Sequence, residues 1–112
     1  MIDIFAGSVS HVQFLPGTDA ADDAPAVADR FVERGAADAV GPVFAIKTLN
    51  YFEYSAIYNE GASHPETVAE FIQLGLVDID GSAETAAKFK AAPSARIAPA
   101  LFNAIYRVSS GN

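Results

Sequence analysis

A mostly helical α+β domain, with a short sheet of two or three strands drawn from its N-terminal half, is what this sequence predicts. Three observations carry the prediction. Short runs rich in β-branched and aromatic residues fall before residue 48, later stretches place apolar residues at helical spacing behind start signals, and glycines punctuate the ends of these stretches. At 112 residues the chain has the length of one domain. It divides into a strand-containing part with one helix over 1–47, a helical part over 48–108 and a tail over 109–112.

Residues 11–15 read as a strand closed by Pro16-Gly17, with a weaker candidate at 2–5. After the polar, acidic stretch 18–24, Asp22-Asp23-Ala24-Pro25 reads as a helix start, with proline in the first turn where its missing N–H costs nothing. Val27 and Phe31 lie four apart on one face of this expected helix, and Gly35 supplies its stop. Residues 43–46, entered through Gly41-Pro42, form a second strand pairing with 11–15, and parallel and antiparallel arrangements are both open.

Asn50 and Glu53 match a reciprocal capping pattern, opening a helix over 51–59 with Leu49, Phe52 and Ala56 inward and a stop at Gly61. Ser63, Pro65 and Glu66 repeat the start signal for a helix to Leu74, with Val68, Phe71 and Ile72 buried and Gly75 as the stop. Residues 76–79 form a buried extended segment, Asp80-Gly81-Ser82 bends the chain, and Ser82 caps a helix over 83–90. Ile97, Leu101, Ile105 and Val108 keep helical spacing; because Pro99 would remove a ladder bond, the last helix is expected to start near Ala98. The core should bring together Phe52, Phe71, Ile72, Leu101 and Ile105.

Of the 51% apolar residues, 22 are alanines, which leaves about 35 larger side chains, enough for one core without staples. The absence of cysteine removes disulfides, thiolate metal sites and cysteine nucleophiles. A net charge of −7 argues against nucleic acid as a partner, and no apolar stretch reaches membrane-span length, so no membrane role is expected. The charge is uneven: residues 1–40 hold seven acids and two bases, whereas residues 84–112 hold one acid and four bases, Lys88, Lys90, Arg96 and Arg107. That basic segment reads either as a surface steering self-association or an acidic partner, or as ordinary solvated helix.

Catalytic and metal chemistry finds little purchase. Asp78-Ile79-Asp80-Gly81-Ser82 resembles the start of a calcium loop, but glycine stands fourth instead of sixth and Phe89 occupies the twelfth position, where a bidentate glutamate is needed. His64, Glu66 and Glu70 are the one nearby metal-type set, and two glutamates four apart on a helix commonly make a solvated face. There is no Gly-x-Ser-x-Gly elbow and no glycine-rich phosphate loop. No catalytic residue, metal or cofactor is expected, and the protein reads as a non-enzyme.

Tyr51, Tyr54 and Tyr58 lie at helical neighbour spacing and make a stripe beside the expected inward row of Phe52 and Ala56. The stripe is either a core rim with its hydroxyls in water or a protein-contact surface, since tyrosine supplies large contact area at small entropy cost. Tyr51, Tyr54 and Tyr58 with Lys88, Lys90, Arg96 and Arg107 are therefore the candidate protein-binding residues.

Phe14-Leu15-Pro16, then residues 43–49 leading into the capped helix with Glu53-Tyr54, resemble the openings of small accessory proteins of tailed-phage structural gene clusters. Leu74-Gly75-Leu76-Val77-Asp78-Ile79-Asp80-Gly81, a short helix, the Pro93 break and Ala104-Ile105-Tyr106 continue a pattern similar to tail assembly chaperones, over about 43–108. The resemblance implies an α-rich, non-enzymatic domain that binds other phage structural proteins, of tail tube or tape-measure type, or copies of itself. It places the protein in the host cytoplasm during assembly. The alternative is a structural virion subunit, a neck or tail ring protein forming a homo-oligomer and located in the virion.

Overall fold

Alternation of side chains decides the N-terminal half. In a computed structural model that describes residues 7–57 and 65–110, four strands, β1 (Val9–Leu15), β2 (Arg30–Glu33), β3 (Val40–Lys47) and β4 (Leu76–Ile79), form one antiparallel sheet in the order β2-β1-β3-β4. Four helices, α1 (Tyr51–Ile57), α2 (Pro65–Gly75), α3 (Ala83–Ala91) and α4 (Ile97–Ser110), complete an α+β fold. Pairing between β1 and β3 is antiparallel, which closes the choice the sequence leaves open.

The sheet has four strands instead of two or three, and its fourth comes from the C-terminal half, where 76–79 pairs with β3. The helix expected after Pro25 does not form. Thr18 pairs with Val27 and Ala21 with Ala24, so residues 16–29 fold back on themselves as a two-stranded arm that leads into β2. A separation of four does not distinguish a helix from an extended chain, and the structure gives the two residues different settings: Val27 is exposed in the arm and Phe31 is buried in β2. A short alanine-rich helix there would bury little. As a strand, the same segment sets Phe31 opposite Phe14, with ring centroids 5.7 Å apart, and 5.0 Å from Phe44.

Those rings begin a chain of edge-to-face contacts that Phe89 of α3 extends, 5.6 Å from Phe44. Behind them Phe71 of α2 and Phe102 of α4 meet at 4.8 Å, both essentially without exposure, alongside Ile46, Ile72, Leu101 and Ile105. Gly75 lets α2 approach α4: a Cβ there would stand 2.6 Å from Ile105 Cγ2.

Local signals operate largely as expected. The Asn50 N–H donates to Glu53 Oε1 at 3.1 Å and the Glu53 N–H to Asn50 Oδ1 at 2.9 Å, closing the reciprocal cap of α1. Ser82 Oγ accepts from the Thr85 N–H at 3.1 Å and caps α3. Helix α4 begins at Ile97, so Pro99 falls in the first turn, where its missing N–H costs no bond within the helix. The helix also runs to Ser110, so Ser109 and Ser110 belong to it and not to a tail; Ser109 Oγ accepts the Leu49 N–H at 2.9 Å and ties the two ends of the helical part together. The strand candidate at 2–5 and the end of the helix expected over 51–59 lie outside the described residues.

Gln13, which the strand pattern gives no special weight, holds two turns at once. Its Nε2 donates to the Gly41 carbonyl at 2.9 Å and its Oε1 accepts the Gly35 N–H at 2.8 Å. This contact sits where the β1–β3 register shifts between Val12 and Phe14, beside Pro42, which has no N–H to offer the ladder.

Candidate functional site

The capped start of α1 aims its first residues outward. Tyr51 is 76% exposed and Phe52 80%, with ring centroids 5.7 Å apart in an edge-to-face pair. Phe52 is thus a correction: the sequence reading places it in the core with Phe71, Ile72, Leu101 and Ile105, and only those four are buried. Tyr54 takes the inward position. Its ring stacks on Tyr106 of α4 at 5.9 Å and stands edge-on to Phe71 at 6.0 Å. The physical reason is that buried Leu49 and the Asn50–Glu53 cap fix the rotation of α1, and a helix turns Phe52 about 200° away from Tyr54. The expected stripe therefore splits into an exposed Tyr51 and a half-buried Tyr54, while Tyr58 lies outside the described residues.

The four basic candidates have different settings. Lys88 Nζ stands 3.8 Å from Glu84 Oε1 on the exposed face of α3. Lys90 Nζ donates to the Gln73 carbonyl at 3.0 Å, at the C-terminal end of α2 where a cation suits the helix dipole. Arg96 grips Asp29 with two hydrogen bonds, Nε to Oδ2 at 2.8 Å and Nη2 to Oδ1 at 3.0 Å, and its guanidinium carbon lies 5.3 Å from the centre of the Phe14 ring. The Arg96 hydrogen bonds and the Gly17 N–H donated to Oδ1 at 2.6 Å hold the Asp29 carboxyl at about 2, below the usual 3.8. The Arg96 guanidinium is pushed upward in turn by its bond to Asp29.

Arg107 has a different setting. It lines a groove of about 470 Å³ between the base of the arm and α4, with Val27, Ala28, Arg30, Asn103 and Tyr106 as other walls. Asp29 also faces this groove, but its charge is matched by Arg96, which leaves Arg30 and Arg107 to set the local sign. Among the described residues no side chain pairs with the Arg107 guanidinium.

Facing away from the core, the arm is the feature the sequence reading misses. Every residue from 18 to 28 is exposed, and the ribbon is closed by its own backbone: Thr18 and Val27 exchange bonds of 2.9 and 2.8 Å, Ala21 and Ala24 bonds of 2.9 and 3.2 Å. Asp22 and Asp23 occupy its tip, Asp19 follows Thr18 near its base, and no basic residue lies between 16 and 29. The available signal was the pair of aspartates between alanines, a turn composition within a stretch poor in large apolar residues.

The turn that resembles a calcium loop uses its carboxylates on backbone. Asp78 Oδ1 accepts the Gly81 N–H at 3.1 Å and Asp80 Oδ1 the Val43 N–H at 2.8 Å. Among the described residues no three histidine or acidic side chains gather as metal ligands, and His64 lies outside them. Ser10, His11 and Glu33 line another groove where β1 pairs with β2. No helix among the described residues is long and apolar enough to cross a membrane. The chain matches no family model, no curated protein and no solved structure.

Proposed function

We propose that the protein is a non-enzymatic protein-binding domain of a tailed phage or phage-like element, acting in tail assembly as a chaperone or accessory protein. The observation that carries the binding role is the exposed Tyr51–Phe52 pair. Two large rings held in water at the capped start of a helix gain by burial against a partner, and aromatic anchors of this kind dominate contact energies. The phage setting is supported by the likeness of residues 43–108 to tail assembly chaperones. Partners of tail tube or tape-measure type are what that likeness implies.

Co-expression with the tail tube and tape-measure proteins of the same gene cluster tests the reading. The full chain should co-purify with one of them, and Tyr51→Ser with Phe52→Ser should weaken that complex more than tenfold while leaving the thermal midpoint within a few degrees. Co-purification that ignores both substitutions, or none with either protein, overturns it. A structural virion subunit is the second reading, favoured by the arm, which reaches outward as an element joining copies would. Purified particles separate the two, since a chaperone is absent from them and a subunit is present at fixed stoichiometry.

A further inference from the structure

We propose that the acidic tip of the arm docks in the groove between β2 and α4 of a second copy, so that copies of this chain associate head to tail. The arm itself supplies the first argument. Residues 18–28 are all exposed, and a two-stranded ribbon with no hydrophobic face is marginal in water by itself. Ordering it costs backbone entropy that contacts within this chain do little to offset. A surface outside the chain would offset it.

The groove supplies the second argument. Arg30, Asn103 and Arg107 present donors around its walls, and the one carboxylate facing it, Asp29, is already neutralised by Arg96. The site is therefore net positive, and among the described residues the Arg107 guanidinium lacks a side-chain partner. The tip offers Asp22 and Asp23, consecutive at the turn of a ribbon made largely of alanine, and Asp19 nearer the base adds a third carboxylate. Paired carboxylates meeting guanidinium groups make charge-assisted bonds, stronger than neutral ones and directional.

Geometry then requires two copies. The groove is lined by Val27, Ala28 and Asp29, at the base of the same arm whose tip lies at 22–23. Val27, at the edge of the groove, is four residues along the chain from Asp23 at the tip, about 13 Å at the rise of an extended chain, so an arm cannot fill the groove at its own base. Tip and groove are different surfaces, and the contact is heterologous, closing into a ring or growing as a filament. Neither the tip nor the groove includes Tyr51 or Phe52.

Sedimentation velocity of the full chain at low and moderate salt is the test. Wild type should self-associate with rising concentration, less so at moderate salt. Asp22→Arg with Asp23→Arg reverses the tip, and Asn103→Glu with Arg107→Glu reverses the groove on two exposed positions of α4. Each reversed protein alone should lose more than tenfold in association. Mixed in equal amounts they should assemble again, because each then offers the complement of the other. A monomeric wild type, association that survives tip reversal, or a mixture that stays dissociated overturns the proposal. Loss of association in Tyr51→Ser with Phe52→Ser but not in the tip variant would assign the contact to α1 and overturns it as well.

Discussion

Asp29 and Arg96, 67 positions apart in sequence, are joined by two hydrogen bonds of 2.8 and 3.0 Å that fasten the base of the arm to the start of α4. Arg96 covers the Phe14 ring and the Gly17 N–H completes the acceptor set of the carboxylate, so one ionised group organises a strand end, a turn and a helix start together. Helix α4 carries Leu101, Phe102 and Ile105 into the core. The pair thereby couples an exposed feature to a buried one.

The coupling has a pH signature. The folded pKa of Asp29 is about 2 against 3.8 for the ordinary group, so the ionised form is favoured by folding. Its stabilisation is complete above roughly pH 4 and disappears as pH falls through about 2. Thermal midpoints of wild type and Asp29→Asn should differ at neutral pH and converge between pH 4 and 2. A difference that stays constant across that interval would show that the carboxylate charge does not contribute.

Phe71 and Phe52 should respond in opposite ways to truncation. Phe71 is fully buried against Phe102 and Tyr54, and Phe71→Ala should cost about 3–5 kcal/mol in urea unfolding. Phe52 is 80% exposed, so Phe52→Ala should stay within about 0.5 kcal/mol of wild type. Similar losses at the two positions would mean that the rotation of α1 is wrong.

These two phenylalanines also mark how far the sequence can be read. Caps and stops are local chemistry, and the Asn50–Glu53 box, the Ser82 cap and the Gly75 stop all operate where the residues place them. The buried faces of α2 and α4 follow from long apolar periodicity. Helix α1 has too few turns for its pattern to fix a face, so Leu49 and the cap decide its rotation, and Phe52 and Tyr54 exchange the roles expected of them. At 27 and 31 the helical and strand spacings coincide, and the cross-strand partner Phe14 settles the matter from 17 residues upstream of Phe31. The candidate site suffers most, because tertiary contacts give Lys90 the Gln73 carbonyl and Arg96 the Asp29 carboxylate, whereas the Glu84–Lys88 pair, four apart on α3, is local.

Close approach of α2 and α4 makes Gly75 sensitive. A Cβ at this position would lie 2.6 Å from Ile105 Cγ2 and 2.9 Å from Cδ1, so Gly75→Ala should destabilise by about 1–3 kcal/mol through overpacking. Ile105→Ala removes the obstructing atoms while losing its own burial. The double variant should therefore be more stable than the sum of the two single losses. Simple additivity in urea unfolding would place the two residues out of contact.

Gly17 should control the arm without controlling the core. A Cβ on Gly17 would strike the Val27 carbonyl oxygen and stand 2.8 Å from the Ala28 carbonyl carbon and the Asp29 nitrogen, all of them backbone atoms that cannot rotate aside. Gly17→Ala must then part the two sides of the arm at its base, where Thr18 and Val27 exchange their hydrogen bonds. The central strand β3 contains Phe44 and Ile46, paired on both sides and buried, so it does not share in that opening. Hydrogen exchange resolves the two regions because local opening exposes only the amides it frees. In Gly17→Ala the amides of Thr18, Ala24 and Val27 should exchange at least tenfold faster than in wild type, while those of Phe44 and Ile46 change much less. Equal acceleration of both sets would mean that the arm and the sheet unfold as one unit, and unchanged arm amides would mean that the chain accommodates the methyl group at Gly17.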